Sequence, residues 1–507
     1  MIALRVLLEG ARVLAVHGDD TVAIADVALD SRRAGPGTCF VALPGTNVDG
    51  VRFAADAVGR GAVAVVAAAP LDPQLRGRAV WVQVEDPVAA LASIAAAFHG
   101  RPMERLVLLG VTGTNGKTTV SYLLEGALAA AGLVPGVIGT IEFRFGGRAA
   151  PATHTTPDAL ALTELGARMV AAGVTHVAIE VSSHALALGR VTGLRFRGAA
   201  FTNLSRDHLD FHQTLAAYEE AKLRLFRGHL ESGALAVITL DDAAGDRFAG
   251  AAREAGARVA RFSTRPGAKA DLGVEDVRYE AAGTHAVLRC FGERHEADVR
   301  MIGEHNVANL LAAVGLAHAA GVPLGAAVRG AAGVAAVPGR LERVPVRAGV
   351  HAFVDYSHTP DALAHAVATL RPLCRGRLWV LFGCGGDRDR GKRPEMGRVA
   401  AGGDRIVLTS DNPRTEDPEA ILDEIEPGLR EAGLRRVELA KLGGEAGAYA
   451  REVDRGVAIE ALVSQASAGD VLLVAGKGHE DYQIVGREKR HFDDREEVRK
   501  AAARPRG

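Results

Sequence analysis

Apolar residues in this chain come in short runs rather than in one long period. AVAVVAAA at 62–69 is flanked by Gly and Pro turns. Leu106-Val107-Leu108-Leu109 reads as a short buried strand that leads into a glycine-rich turn. Residues 117–131, KTTVSYLLEGALAAA, carry a helical pattern that stops at Gly132. Strand-like runs follow at 175–181, 198–203 and 235–240, with helical patterns between them. A break is expected at His99-Gly100-Arg101-Pro102 and another at Val337-Pro338-Gly339-Arg340. Beyond the second, runs at 350–355, 378–382, 405–409 and 470–474 alternate with helical segments. Strands alternating with helices predict an α/β fold with mostly parallel sheets, the last of them a second α/β unit. No solenoid repeat is present.

Composition narrows the class. The 507 residues suggest about three domains. Sixty Lys+Arg face 61 Asp+Glu, which argues against a global nucleic-acid binder but leaves a local anion site open. The four cysteines, Cys39, Cys290, Cys374 and Cys384, form no CxxC pair, so neither a zinc site nor a disulfide framework is indicated. Free thiols suit a reducing compartment. The N-terminus, interrupted by Arg5, Glu9 and Arg12, lacks the apolar core of a signal peptide. No uncharged apolar run is long enough for a membrane span. A cytoplasmic protein is expected.

The first chemistry-bearing segment is Gly110-Val-Thr-Gly113-Thr114-Asn115-Gly116-Lys117-Thr118-Thr119, between a strand and a helix. Its glycines let backbone N–H groups converge on phosphate oxygens, and the helix N-terminus adds partial positive charge. Lys117 is placed to reach the β- and γ-phosphates, and the Thr118 hydroxyl to bind Mg²⁺. Val111 stands where the GxxxxGK[ST] pattern has its first Gly.

Other candidates are weaker locally. Glu180 ends the run THVAIE, where a carboxylate could hold Mg²⁺ or simply cap or pair. His208, in Thr202-Asn-Leu-Ser-Arg-Asp207-His208-Leu-Asp210, is a metal candidate or a structural histidine. Lys222, in EEAKLRLF, reads locally as a solvated lysine. Four basic groups, Arg388, Arg390, Lys392 and Arg393, crowd a glycine-containing loop after the 378–382 run and suit an anion. Asp411-Asn412-Pro413-Arg414 offers an acceptor, an amide and a cation, the groups that hold a zwitterionic amino acid, though Asx-Pro is also a turn starter. Gly476-Lys477-Gly478-His479-Glu480 supplies another acid.

Together these segments resemble the Mur ligases, ATP-dependent amide-forming enzymes of peptidoglycan precursor synthesis. The resemblance spans nearly the whole chain. It includes Asp30-Ser31-Arg32, Gly113–Thr119, His154-Thr-Thr-Pro157, Glu180-Val-Ser-Ser-His184, Asp207-His208, Pro338-Gly-Arg340, Val354-Asp-Tyr-Ser-His-Thr-Pro360, Asp411–Arg414 and Gly476–Glu480. It implies three domains: 1–101 for the uridine nucleotide, a central P-loop domain at 102–337, and a Rossmann-like domain at 338–507 for the incoming amino acid. Leu29, Ser31, Thr46 and Asn47 would meet the uridine nucleotide. His154, Thr155, Thr156, Ser182 and Arg190 would meet the rest of UDP-MurNAc-L-Ala-D-Glu. Lys222 would be carbamylated by CO₂, reversing its local reading, and would join Thr118, Glu180 and His208 around Mg²⁺. Asn306, Arg340 and Asp355 would approach ATP. Arg388, Asp411, Asn412, Pro413, Arg414, Gly476 and Glu480 would receive meso-diaminopimelate. L-lysine in its place, or a folylpolyglutamate synthase-like ligase, are the alternatives; a non-catalytic nucleotide-binding regulator is a third. A monomer is expected. Leu188, His305 and Ser357 depart from residues common in the family.

Overall fold

The computed structural model describes residues 1–45 and 48–504; Thr46 and Asn47 lie outside the described residues. The chain divides into two compact units, Met1–Phe262 with Ala312–Ala327, and Ser263–Leu311 with Val328–Gly507.

The first unit holds two main sheets beside a small antiparallel pair, Ile2–Ala3 with Ala23–Ile24. One runs in the order Val13–His17, Val80–Val84, Ala62–Ala67, Thr38–Val41, Asp26–Ala28, parallel except where Val13–His17 pairs antiparallel with Val80–Val84. The other has parallel strands Pro135–Ile138, His176–Glu180, Val107–Thr112, Phe196–Phe201, Leu230–Thr239 and Arg258–Phe262, in that order. The antiparallel hairpin Glu142–Phe145 and Arg148–Pro151 extends its edge. These central strands are buried on both faces, which explains their unbroken apolar runs. The helix Lys117–Ala130 packs Val120, Leu123, Leu124, Ala127 and Leu128 into buried positions. Across the sheet, Phe201 stacks on Phe248 at 3.7 Å and Phe226 meets Phe248 edge-on.

The predicted 106–109 run proves to be longer. The strand is Val107–Thr112, so Gly110 is a strand residue and the turn begins at Gly113. A Cβ at Gly110 would lie 3.0 Å from the Phe196 ring, so close packing, not a turn, accounts for this glycine.

The second unit contains the antiparallel strands Leu272–Glu280, Gly283–Cys290 and Glu293–Val299. Its main sheet has the order Glu342–Val344, His351–Asp355, Val471–Ala475, Leu378–Phe382, Arg405–Leu408, Ala448–Arg451, Arg435–Arg436. All but the first pair run parallel. A hairpin, Tyr482–Val485 with Glu488–His491, follows the last sheet strand. The fold is therefore α/β with parallel-rich sheets. Among the described residues no helix is long and apolar enough to cross a membrane.

Candidate active site

Three neighbouring strands of the first unit deliver their carboxyl ends to one place. Glu180 pairs in register with Val111, and Thr112 with Phe201. The loops that follow therefore start level with one another, where open parallel sheets bind ligands. Gly113 takes φ +154, and an added Cβ would lie 1.9 Å from Thr202 Oγ1. Gly116, at φ +89, precedes the helix that Lys117 opens. The loop is held from the neighbouring strand end. Thr202 Oγ1 donates to the Asn115 carbonyl at 2.6 Å, and Asn115 N–H donates to Asn203 Oδ1 at 2.9 Å. Thr114 N–H donates to the Asn203 carbonyl. Lys117 Nζ folds back onto the Gly113 and Thr114 carbonyls at 2.8 and 2.9 Å. Thr119 is buried in the first turn of the helix.

Glu180 is 1% exposed. Its carboxylate accepts from Thr118 Oγ1 at 3.0 Å, Thr140 Oγ1 at 2.8 Å and Thr140 N–H at 3.0 Å. Ser121 Oγ stands 3.5 Å away. A Cβ at Gly139 would come within 2.3 Å of Glu180 Oε1, so this backbone approach excludes side chains. Thr140 also meets Thr155, and Thr156 Oγ1 donates to the Glu180 carbonyl at 2.7 Å. Ser182 caps the short helix Ser183–Ala187, and Arg190 donates to the Thr156 carbonyl at 2.9 Å. Thr155, Thr156, Ser182 and Arg190 thus form one connected wall beside Glu180, while His154 is exposed.

Lys222 corrects its local reading. It is 1% exposed, not solvated, and its Nζ donates to the Gly113 carbonyl at 2.8 Å. The ammonium sits 4.3 Å from the Tyr218 ring centroid, one helical turn back. Burial, reinforced by Lys117 and opposed by Asp207, holds its pKa well below the ordinary lysine value. His208 adopts a left-handed backbone at φ +54, contacts Asp207 at 3.4 Å and packs edge-on to His184. His212 is buried against Ser183 Oγ at 3.0 Å, and burial with His184 nearby pushes its pKa down to about 4. Among the described residues no group of three or more His, Cys, Asp or Glu side chains gathers as a metal cage. A groove of about 570 Å³ opens beside Pro44, Asp86, Leu188, Arg224 and His229. Leu29 is half-buried and Ser31 buried near the turn that Asp30 caps.

In the second unit, loops after Leu378–Phe382, Arg405–Leu408 and Val471–Ala475 likewise emerge from adjacent strands. Asn412 Nδ2 donates to Glu480 Oε2 at 2.8 Å, and its Oδ1 accepts from Ile484 N–H at 2.9 Å. Lys477 Nζ, fully buried, lies 3.3 Å from the same Glu480 oxygen. Burial raises the Glu480 carboxyl above its ordinary value, opposed by Lys477 and assisted by Asp411. Arg414, at φ +51, donates to the Gly386 carbonyl at 2.8 Å. Pro413 and Gly476 are both buried, and a Cβ on Gly476 would strike Asp411 Oδ2 at 2.4 Å.

The basic loop is less available than expected. Arg393 is wholly buried between Glu416 and Glu424, Arg390 also pairs with Glu424, and Lys392 donates to the His358 carbonyl. Arg388 and Arg390 are the exposed members, and Arg388 donates to the Asp387 carbonyl. Asn306 is buried with Nδ2 on the Ile302 carbonyl. Arg340 lies over the Tyr356 ring, and Asp355 accepts from Leu341 N–H and Ser357. Sequence reasoning missed Thr140, Tyr218 and any role for Lys477. For Thr140 the available signal was its place just after a parallel strand; for Tyr218, its i, i+4 spacing to Lys222.

A strand–glycine loop–helix turn carrying Lys117 and Thr118, with a buried acid on the neighbouring strand, defines a P-loop enzyme of the ATP-using class. Three family models then match in order: Mur ligase family, catalytic domain, over residues 23–99; Mur ligase middle domain over 111–317; and Mur ligase, glutamate ligase domain, over 339–478. The chain belongs to the Mur ligase family. It is 44% identical to the UDP-N-acetylmuramoyl-L-alanyl-D-glutamate--2,6-diaminopimelate ligase of Gloeobacter violaceus, across 97% of this chain and 98% of that one. A solved structure of a ligase with the same name matches with a TM-score of 0.68 at 35% identity, over 94% of both chains. The folylpolyglutamate synthase of Mycobacterium tuberculosis complexed with ADP shares the fold at 20% identity and a TM-score of 0.61, over 77% of this chain and 92% of that one.

Proposed function

We propose that this ligase joins meso-2,6-diaminopimelate to the D-glutamate of UDP-MurNAc-L-Ala-D-Glu at the expense of ATP, in the cytoplasm, for peptidoglycan precursor synthesis. The observation that carries this reading is the near-full-length match to relatives bearing that name. Residues 1–101, 102–337 and 338–507 are assigned to the uridine nucleotide, to ATP and peptide, and to the amino acid. An oxygen of the D-glutamate γ-carboxylate attacks the γ-phosphorus of ATP, releasing ADP and leaving an acyl phosphate. An amine of diaminopimelate then attacks the acyl carbon; phosphate departs, a proton is lost, and the amide remains.

The residues present fit these roles. Gly113–Thr119 offers backbone N–H groups and Lys117 to the phosphates, so catalysis is largely positioning and charge neutralisation. Thr118 and Glu180, two oxygen ligands 3.0 Å apart, suit Mg²⁺, which would neutralise phosphate charge when bound. Lys222 suits carbamylation because burial holds its pKa well below the ordinary lysine value, which favours the CO₂-reactive amine, and the product is an anionic oxygen ligand. His208 is assigned to the same metal region, and Asn306, Arg340 and Asp355 to ATP, on family resemblance. Thr155, Thr156, Ser182 and Arg190 line the peptide side. Arg388, Arg414, Asn412 and Glu480 complement the extra carboxylate and amine of diaminopimelate. Lysine would leave a cation without a partner, a mismatch that sites of this kind reject strongly.

An isotope experiment tests the reaction. ¹⁸O placed in the γ-carboxylate should appear in the released phosphate, one atom per tripeptide formed. Unlabelled phosphate would refute the acyl phosphate.

A further inference from the structure

Beneath the amino-acid loops lies a buried ion pair that the reaction does not use. The side chains of Arg455 and Asp494 are both 0% exposed. Arg455 Nε and Nη2 each donate to a different Asp494 oxygen at 2.7 Å, the fork geometry that arginine makes with carboxylates. The guanidinium has two further acceptors, the Ser410 carbonyl at 3.3 Å and the Ala475 carbonyl at 2.9 Å. Ser410 immediately precedes Asp411-Asn412-Pro413-Arg414. Ala475 immediately precedes Gly476–Glu480. One side chain therefore ties together the last residues before two loops that are far apart in sequence.

The fit above it leaves no slack. Gly476 takes φ +118, and its missing Cβ would sit 2.4 Å from Asp411 Oδ2 and 4.0 Å from Arg455 Nη2. Burial alone would weaken the guanidinium charge, but the carboxylates of Asp494, Asp411 and Glu480 outweigh it and hold the group above its ordinary value. Arg455 opens the helix Arg455–Gln465 and Asp494 opens Asp494–Ala503, so the pair also joins two helices to the strand ends.

Stability does not demand such a pair. Desolvation offsets much of its attraction, and two packed apolar side chains often hold as well. An apolar pair cannot donate to the Ser410 and Ala475 carbonyls. We propose that Arg455, clamped by Asp494, is a positioning residue that fixes the spacing of the two loops receiving the incoming amino acid. This rests on the amino-acid site assigned above.

The test compares full-length Asp494→Asn and the double variant Arg455→Met/Asp494→Leu with wild type. Asn412→Ala serves as a probe of the site itself. KM for diaminopimelate should rise about tenfold or more in both, as expected for loss of charged buried hydrogen bonds. KM for ATP should stay within about twofold, and the double variant should remain folded, because it buries no lone charge, with a thermal midpoint lowered by the loss of the donors to the Ser410 and Ala475 carbonyls. If Asp494→Asn does not fold, the double variant decides. A folded double variant with wild-type KM for diaminopimelate overturns the positioning role, as does an equal rise in KM for ATP. An unchanged KM in Asn412→Ala overturns the site assignment and the proposal with it; a raised KM there, with none in the double variant, overturns the positioning role alone.

Discussion

Glu180→Gln separates the charge of the buried acid from its place in the fold. The substitution keeps the shape of the side chain. With its amide oxygen on Thr140 N–H, in place of Oε1, the new NH₂ group faces Thr118 Oγ1 and Thr140 Oγ1. Both hydroxyls can rotate to accept. Charge-assisted bonds become neutral ones, a loss of about 1–2 kcal/mol. That corresponds to a fall in thermal midpoint of a few degrees, at roughly 2–4 °C per kcal/mol. The anionic oxygen offered to Mg²⁺ disappears altogether. Turnover should then fall by about 10²-fold or more, the scale of losing one electrostatic stabiliser of the transition state. Phosphate release measured across a magnesium titration, beside a thermal melt, reads both quantities. Wild-type turnover and magnesium dependence in a normally folded variant would refute the assigned role. Glu180→Ala should cost more stability, because Thr140 N–H is left buried without its acceptor.

Further expectations follow from the same geometry. Lys222→Met should lose activity and all response to added bicarbonate while melting no lower than wild type, since a buried amine is costly to desolvate; phosphate release in CO₂-depleted and bicarbonate-supplemented buffer checks it, and retained activity would contradict it. Arg414→Ala should raise KM for diaminopimelate by about tenfold with KM for ATP unchanged, read by steady-state kinetics. His212 is buried and His305 half-buried, and desolvation pushes both pKa values down to about 4, against about 6.5 when unfolded. The unfolded chain takes up those protons first, so their contribution to stability is present above about pH 6.5 and is lost as pH falls toward 4. Thermal midpoints between pH 7.5 and 4.5 should decline accordingly; a flat profile would contradict the burial of these imidazoles.

Local patterns were the legible part of this chain. Leu378–Phe382 is five apolar residues buried on both faces, so its limits could be read directly. The Lys117 loop was legible because glycines, lysine and helix start are contiguous. Gly110 misled, because a glycine needed for packing against Phe196 looks like a turn in one dimension. Lys222 was misread for a different reason: its partner, the Gly113 carbonyl, is more than a hundred residues away. Asn412 posed the same difficulty. Its amide is engaged by Glu480 and Ile484, contacts that no window around Asp411–Arg414 contains. Three of the four basic groups at Arg388–Arg393 likewise found acceptors elsewhere in the fold. Non-local pairing, not composition, decided which charged residues remain for a ligand.

The most direct measurement weighs the product formed from ATP and UDP-MurNAc-L-Ala-D-Glu by mass spectrometry, with meso-diaminopimelate and L-lysine supplied in parallel. The account predicts ADP, phosphate and a tripeptide product with diaminopimelate, and almost none with lysine. A lysine-containing product instead would overturn the reading of Asn412, Arg414 and Glu480, and no product with either would contradict the proposed reaction.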